Sequence, residues 1–151
     1  MVITRDKGVQ LTDTTMRSPV YLDVLQEPFR LYGFSAPFRR VPANVAEATS
    51  ECVAHLSEMT AGCRVRFKTT SDFVVVHGEY KEAGVTSSSS PVAMASFDIY
   101  IKEDGKQCFR GIFAPSQGEG KNYVESRLKF YNHDMKDIII YFPLSSSFKD
   151  V

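Results

Sequence analysis

Residues 60–80 constrain the fold more than any other stretch, because two strand-like runs of different character flank a turn-rich Thr69-Thr-Ser-Asp72. In the first run Val65, Phe67 and Thr69 share one face of an extended chain and Arg64, Arg66 and Lys68 share the other. That period of two marks a half-buried strand. The second run, residues 73–76, is apolar on both faces. A strand wet on one side next to one dry on both calls for a layer packed against the sheet, most simply a second sheet. The two runs are expected to pair as a hairpin around which the rest is arranged.

The chain has 151 residues, enough for one domain with a real core, since folding at this size removes roughly 70% of the unfolded surface from water. Lys plus Arg and Asp plus Glu number 18 each, so no global field draws the chain to nucleic acid or an anionic membrane. The three cysteines, Cys52, Cys63 and Cys108, are odd in number and form no Cys-x-x-Cys pair, which argues for buried free thiols. The opening Met-Val-Ile-Thr-Arg-Asp-Lys-Gly has no apolar run of the signal-peptide kind, and nowhere do 18 apolar residues follow one another. The expectation is a cytoplasmic chain with no membrane partner.

Further along, Phe29-Arg-Leu-Tyr-Gly reads as a short strand ending at Gly33, and Phe38-Arg-Arg-Val-Pro as a second extended piece before Pro42. Val45, Thr49, Cys52, Leu56 and Met59 recur at helical spacing, with Asn44 placed to cap. The reading is a short helix near 44–50 followed by an extended approach to the hairpin. Gly84-Val-Thr-Ser-Ser-Ser-Ser-Pro is a loop. Ala93, Ala95, Phe97, Ile99 and Ile101 alternate as a strand, Asp104-Gly105 turns the chain, and Gln107-Cys-Phe-Arg-Gly-Ile-Phe returns. Val124, Ser126, Leu128 and Phe130 alternate next, and Ile138-Ile-Ile-Tyr-Phe-Pro-Leu is apolar throughout until Pro143 ends it. About eight evenly spaced strands without strand–helix alternation make the chain all-β, two sheets in a sandwich with at most one short helix. The sandwich covers 28–151 behind an arm or edge strand over 1–27.

Motifs for chemistry fail one by one. A nucleophile elbow needs Gly-x-Ser-x-Gly, and Gly33-Phe-Ser-Ala-Pro lacks the last glycine. Gly118-Glu-Gly-Lys121 resembles the end of a phosphate loop, but Pro115 and Asn122 stand where a glycine and a hydroxyl residue belong. His55, His77 and His133 are dispersed, and Cys52 with His55 is half a zinc set, so no metal or cofactor is expected. Arg64, Arg66 and Lys68 with Arg127 and Lys129, beside Tyr123 and Tyr131, would make a basic, aromatic stripe of the kind that binds single-stranded nucleic acid; a solvated sheet face explains them as well, and no nucleic-acid partner is assigned. Exposed rings also suit sugar stacking, with Phe73 and Tyr123 the candidates for a stand-alone carbohydrate-binding module.

Five blocks in order carry a resemblance: Phe29-Arg-Leu-Tyr-Gly, Phe38-Arg-Arg-Val-Pro, Thr60-Ala-Gly-Cys-Arg-Val-Arg-Phe-Lys-Thr-Thr-Ser, Ser96-Phe-Asp-Ile-Tyr and Ile138-Ile-Ile-Tyr-Phe-Pro-Leu. From about residue 28 onward the chain resembles the N-terminal domain of SGNH-type (GDSL-like) esterases, named for a Gly-x-Asp-Leu-Tyr motif. Here Ser96 stands for the glycine and Ile99 for the leucine. The resemblance implies a jelly-roll-like sandwich packed against a following acylhydrolase domain, whose Gly-Asp-Ser block and distant Asp-x-x-His are absent from these 151 residues. It implies an accessory, non-catalytic role for this chain and acylated carbohydrates as substrates of its neighbour. Arg40, Asp98 and Tyr100 are the residues expected at a substrate or interdomain rim, with hydrogen bonding inside the fold as the competing role for Asp98. Carbohydrate and a second copy of the chain, paired at a sheet edge, are left open as further partners.

Overall fold

The computed structural model describes residues 19–84, 86–116 and 122–151. The half-polar run forms strand β2 (Arg64–Thr69) and the apolar run opens strand β3 (Phe73–Glu82), but the two are not a hairpin. β2 lies in a five-stranded sheet and β3 in a three-stranded one, so residues 70–72 are a corner at which the chain changes layer. Ser71 shapes that corner: its N–H donates to Thr69 Oγ1 at 3.0 Å and its hydroxyl to the Phe73 carbonyl at 2.7 Å. The polarity difference between the runs is thus a difference between layers. Local alternation reads each strand's burial and is blind to its pairing partner.

The larger sheet runs β1 (Arg30–Tyr32), β2, β7 (Lys136–Tyr141), β4 (Phe97–Glu103), β5 (Lys106–Phe113), and the smaller runs β6 (Tyr123–Lys129), β3, β8 (Ser147–Asp150). Every pairing is antiparallel, and the all-β sandwich expected from the sequence is what forms. Between the layers Phe97 sits 5.0 Å from Phe142 and 5.1 Å from Phe148, and Tyr80 lies 4.8 Å from Phe148. A buried ring of this size contributes roughly 1.5–3 kcal/mol, more than an exposed ion pair, so this aromatic seam rather than surface charge holds the layers together.

Helix content exceeds the single short helix expected. Helix α1 (Ala43–Thr49) is present, but Pro42 rather than Asn44 precedes it, and Ala46 rather than Val45 is its buried residue. Ser50 is extended, which breaks the apparent stripe from Val45 to Met59, and the predicted extended approach is instead helix α2 (Glu51–Leu56), with Ser50 Oγ accepting the Val53 N–H at 3.2 Å. Cys52 is consequently exposed, not a core thiol. The Ala93 end of the predicted Ala93–Ile101 strand is helix α3 (Pro91–Ala95), with proline in its first turn. Residues 38–42 are not a strand, because Phe38 turns the chain at φ 53°. The Asp104-Gly105 turn is as read, with φ 49° and 80° at its two central residues, the left-handed geometry that two-residue hairpins need. The expected arm lies outside the described residues up to 18; beyond them Val24 is buried, its N–H directed at the Val151 carbonyl.

One cation ties two of the layer changes together. Lys136 is only 6% exposed, and its Nζ donates to the carbonyls of Ser71, Asn132 and Asp134 at 3.2, 2.9 and 2.8 Å while resting 5.1 Å from the Phe130 ring centre. The corner at 70–72 and the 130–135 connection from β6 to β7, which also changes sheet, are therefore held side by side.

Candidate functional site

Directly paired residues of an antiparallel sheet project to the same side, so the registers give the outward surface of the five-stranded sheet row by row. Across it, from β1 to β5, runs Tyr32, Arg64, Tyr141, Asp98 and Ile112. The next row is Arg30, Arg66, Ile139, Tyr100 and Phe109, and beyond it Lys68 faces Asp137 and Lys102 faces Gln107. A bulge between Ile99 and Tyr100, with Gly111 at φ 150°, is what lets both Phe109 and Ile112 point outward.

Aromatic residues form the middle of this surface. Tyr100 meets Phe109 and Tyr141 edge-on, each at 5.5 Å, and the Tyr141 hydroxyl donates to Gln107 Oε1 at 3.1 Å. The Arg64 guanidinium lies 5.1 Å from the Tyr32 ring centre and 5.8 Å from that of Tyr141, held by two rings and by no carboxylate of the described residues. Arg66 differs: its Nε and terminal nitrogen grip Asp137 at 2.8 and 2.5 Å, and these charge-assisted bonds draw the Asp137 carboxyl below the ordinary carboxylate range. Phe109 is 55% exposed, Ile112 39% and Tyr32 37%, so the apolar part of the surface is open to solvent.

Asp98 stands apart from the other charges. It accepts no hydrogen bond and makes no ion pair among the described residues, and partial burial beside Tyr141 raises its carboxyl above its ordinary value. Its expected internal partner is not there. Asp98 and Arg64 flank Tyr141 at two strand spacings, roughly 9.5 Å between backbones, one an acceptor and the other a donor with its polar edge unclaimed.

Of the residues singled out from the sequence, Asp98 and Tyr100 share this surface, two positions apart on β4. Arg40 does not join them through its charge, since its guanidinium donates to the Leu56 carbonyl at 2.7 Å and secures the end of α2. Phe73 and Tyr123 belong to the other sheet. Phe73 is 8% exposed with Arg127 5.1 Å above its ring, so it offers no free face of the kind sugar stacking needs, and Tyr123 is half-buried with His77 stacked on its ring at 5.9 Å. The supposed basic stripe is divided, with Arg64, Arg66 and Lys68 on one sheet and Arg127 and Lys129 on the other. Tyr32, Tyr141, Gln107 and Phe109 were not singled out as site residues. The alternation of Arg30-Leu-Tyr32 carried the signal for Tyr32, whereas Ile138-Ile-Ile-Tyr hid Tyr141 in an apolar run.

His77 Nδ1 lies 3.2 Å from Glu125 and His55 Nε2 3.8 Å from Glu82, but no serine hydroxyl is bonded to either ring among the described residues. Nor do three or more His, Cys, Asp or Glu side chains gather there as a metal set would, and no helix of the described residues is long and apolar enough to cross a membrane.

On β4 the Ser96-Phe-Asp-Ile-Tyr block turns Phe97 and Ile99 into the core and Asp98 and Tyr100 outward. The family model described as GxDLY, N-terminus of SGNH-hydrolase-type esterases, matches residues 20–151. No functionally curated protein matches the chain. Among solved structures, a protein described as a GDSL-like lipase from Bacteroides ovatus ATCC 8483 superimposes with a TM-score of 0.70 at 25% identity, over 80% of this chain and 36% of that one. The present chain thus corresponds to little more than a third of that protein's length. With most of its residues inside the matched span, the chain belongs to the GxDLY family, the N-terminal domain of SGNH-hydrolase-type esterases.

Proposed function

We propose that this chain is a non-catalytic accessory domain that lines the active-site cleft of a following acylhydrolase domain, turning the outward surface of its five-stranded sheet toward the carbohydrate part of an acylated substrate. The observation that carries this reading is the Asp98 carboxylate beside Tyr141 and Tyr100, without a partner among the described residues, opposite an Arg64 that meets no carboxylate among them. A charge left without a partner among rings costs stability, and such groups persist where a ligand completes them. Substrate hydroxyls would donate to Asp98 and accept from Arg64, while the rings cover the apolar face of a sugar. Orientation of this kind lowers a neighbour's barrier without any chemistry on this domain.

Two measurements test it. This chain alone should hydrolyse p-nitrophenyl acetate no faster than a heat-denatured control; saturable turnover abolished by one serine substitution would overturn the reading. In an esterase carrying the domain ahead of its acylhydrolase domain, Asp98→Asn should lower kcat/KM for an acetylated oligosaccharide by roughly tenfold, the scale of one charge-assisted hydrogen bond, while p-nitrophenyl acetate hydrolysis is unchanged. Equal effects on both substrates, or none on either, would count against a substrate-facing surface.

A further inference from the structure

Positive charge accumulates on one surface of a chain whose charges sum to zero. The paired rows of the outward surface carry Arg30, Arg64, Arg66, Lys68 and Lys102 against two carboxylates, Asp98 and Asp137, a surplus of five minus two, or three. Asp137 is already gripped by Arg66, and neither Arg64 nor Lys102 has a carboxylate within ion-pair distance among the described residues. These side chains are not scattered. Arg64, Arg66 and Lys102, with Tyr32 and Gln107, line a single open groove of about 230 Å³ floored by Ile139.

We infer that this groove binds the carboxylate of a uronic acid unit, so that the carbohydrate the domain recognises is an anionic polysaccharide. The planar fork of Arg64 matches a carboxylate with two parallel N–H donors, and its position is set in advance because Tyr32 and Tyr141 hold the guanidinium between them. Lys102 adds a second charge to the lining. Gln107 and the Tyr141 hydroxyl supply donors and acceptors for ring hydroxyls. On the other side of Tyr141, Asp98 accepts from a hydroxyl of the adjoining sugar. This last residue is what separates a polysaccharide from a nucleic acid. Its carboxylate is an acceptor that a sugar hydroxyl can satisfy, whereas the phosphodiester oxygens of a nucleic acid backbone are themselves acceptors and cannot. The inference rests on the outward surface being the one that meets substrate, and adds the charge of that substrate.

Affinity electrophoresis of the 151-residue chain through gels containing polygalacturonate, neutral galactan or no polymer gives the test, with single-stranded oligonucleotide titrated in parallel. Polygalacturonate should retard the chain and galactan should not. Arg64→Gln should weaken the retardation about tenfold or more, as loss of a charge-assisted pair requires. Lys102→Gln, at an exposed position where the side chain is not part of the core, should weaken it less, and raising salt should weaken it further. Retardation by galactan equal to that by polygalacturonate, retention of wild-type affinity in both variants, or tighter binding of the oligonucleotide would each overturn the inference. Arg64-dependent binding combined with an esterase indifferent to Asp98→Asn would sink the cleft-lining role and leave the uronate groove standing. The reverse pair of results would remove the groove alone.

Discussion

Lys136→Met is the perturbation whose size the structure sets most directly. The substitution keeps the length of the buried stem and deletes an ammonium that donates to three carbonyls between 2.8 and 3.2 Å and lies over Phe130. Hydrogen bonds to a charged group are worth about 1.5–3 kcal/mol each, but removing the ammonium also removes its desolvation cost, and the Asn132 and Asp134 carbonyls sit in an exposed turn where water can replace it. The net loss works out near one such bond plus the ring contact, about 2–4 kcal/mol. For a domain of this length each kcal/mol moves the midpoint by roughly 2–4 °C, so Tm should fall by about 5–15 °C in a thermal scan followed by circular dichroism. Lys136→Arg should recover little, because a planar fork cannot point at three carbonyls converging on one point. A Tm change within about 2 °C for Lys136→Met would refute the claim that this cation staples the two layer-changing connections.

Other expected outcomes follow from single sites. Gly84→Ala should abolish soluble expression, because a Cβ there would lie 1.5 Å from the Ser145 carbonyl oxygen, whereas Gly105→Ala, with a similar positive φ and open space around it, should cost only about 1–2 kcal/mol in urea titration. Asp98 and Asp137 should give opposite pH signatures in Tm scans. Burial raises Asp98, so its ionisation destabilises the fold as pH climbs from the ordinary carboxylate value through the raised one, and Asp98→Asn should gain on wild type over that window. Arg66 lowers Asp137, so its contribution is present above the ordinary value and lost as pH falls through the depressed one; Asp137→Asn should be less stable at neutral pH and converge with wild type in acid. Cys52 should react with a thiol reagent in the native protein, whereas Cys63, buried, donating to the Gly33 carbonyl and pushed up to about 11 by desolvation, should react only after unfolding.

Burial was legible in the sequence far more readily than connectivity. The alternation of residues 64–69 and the apolar run of 73–76 announced one half-wet strand and one dry one, and both are as read. That they lie in different sheets depends on the Ser71 corner and on Lys136, which reaches that corner across 65 residues, a contact no local window contains. Helix α2 was hidden because Cys52, Ala54 and Leu56 also alternate like a strand, and only the extended Ser50 divides the two readings. Strand β8 went unread, its four residues Ser147-Phe-Lys-Asp150 being too few to show a period after Pro143. At the candidate site, Asp98 and Tyr100 stand out through their motif, whereas Arg64 and Tyr141 meet only through sheet order.

The extra residue on β5 has a consequence for how relatives of this domain can differ. From Phe97 to Ile99 the pairing counts down from Phe113 in step, and past Gly111 it resumes one place out of phase, so Gln107 and Phe109 face outward only because of that offset. A Cβ at Gly111 would come within 3.0 Å of Leu128 on the opposite layer, so the offset sits where the two sheets approach each other. Deleting Arg110 would remove the bulge and still leave Phe109 opposite Tyr100 and Gln107 opposite Lys102, so the outward side chains of β5 would stay as they are and only the local kink would be lost. The bulge therefore absorbs one inserted codon on an edge strand without changing which side chains that surface presents.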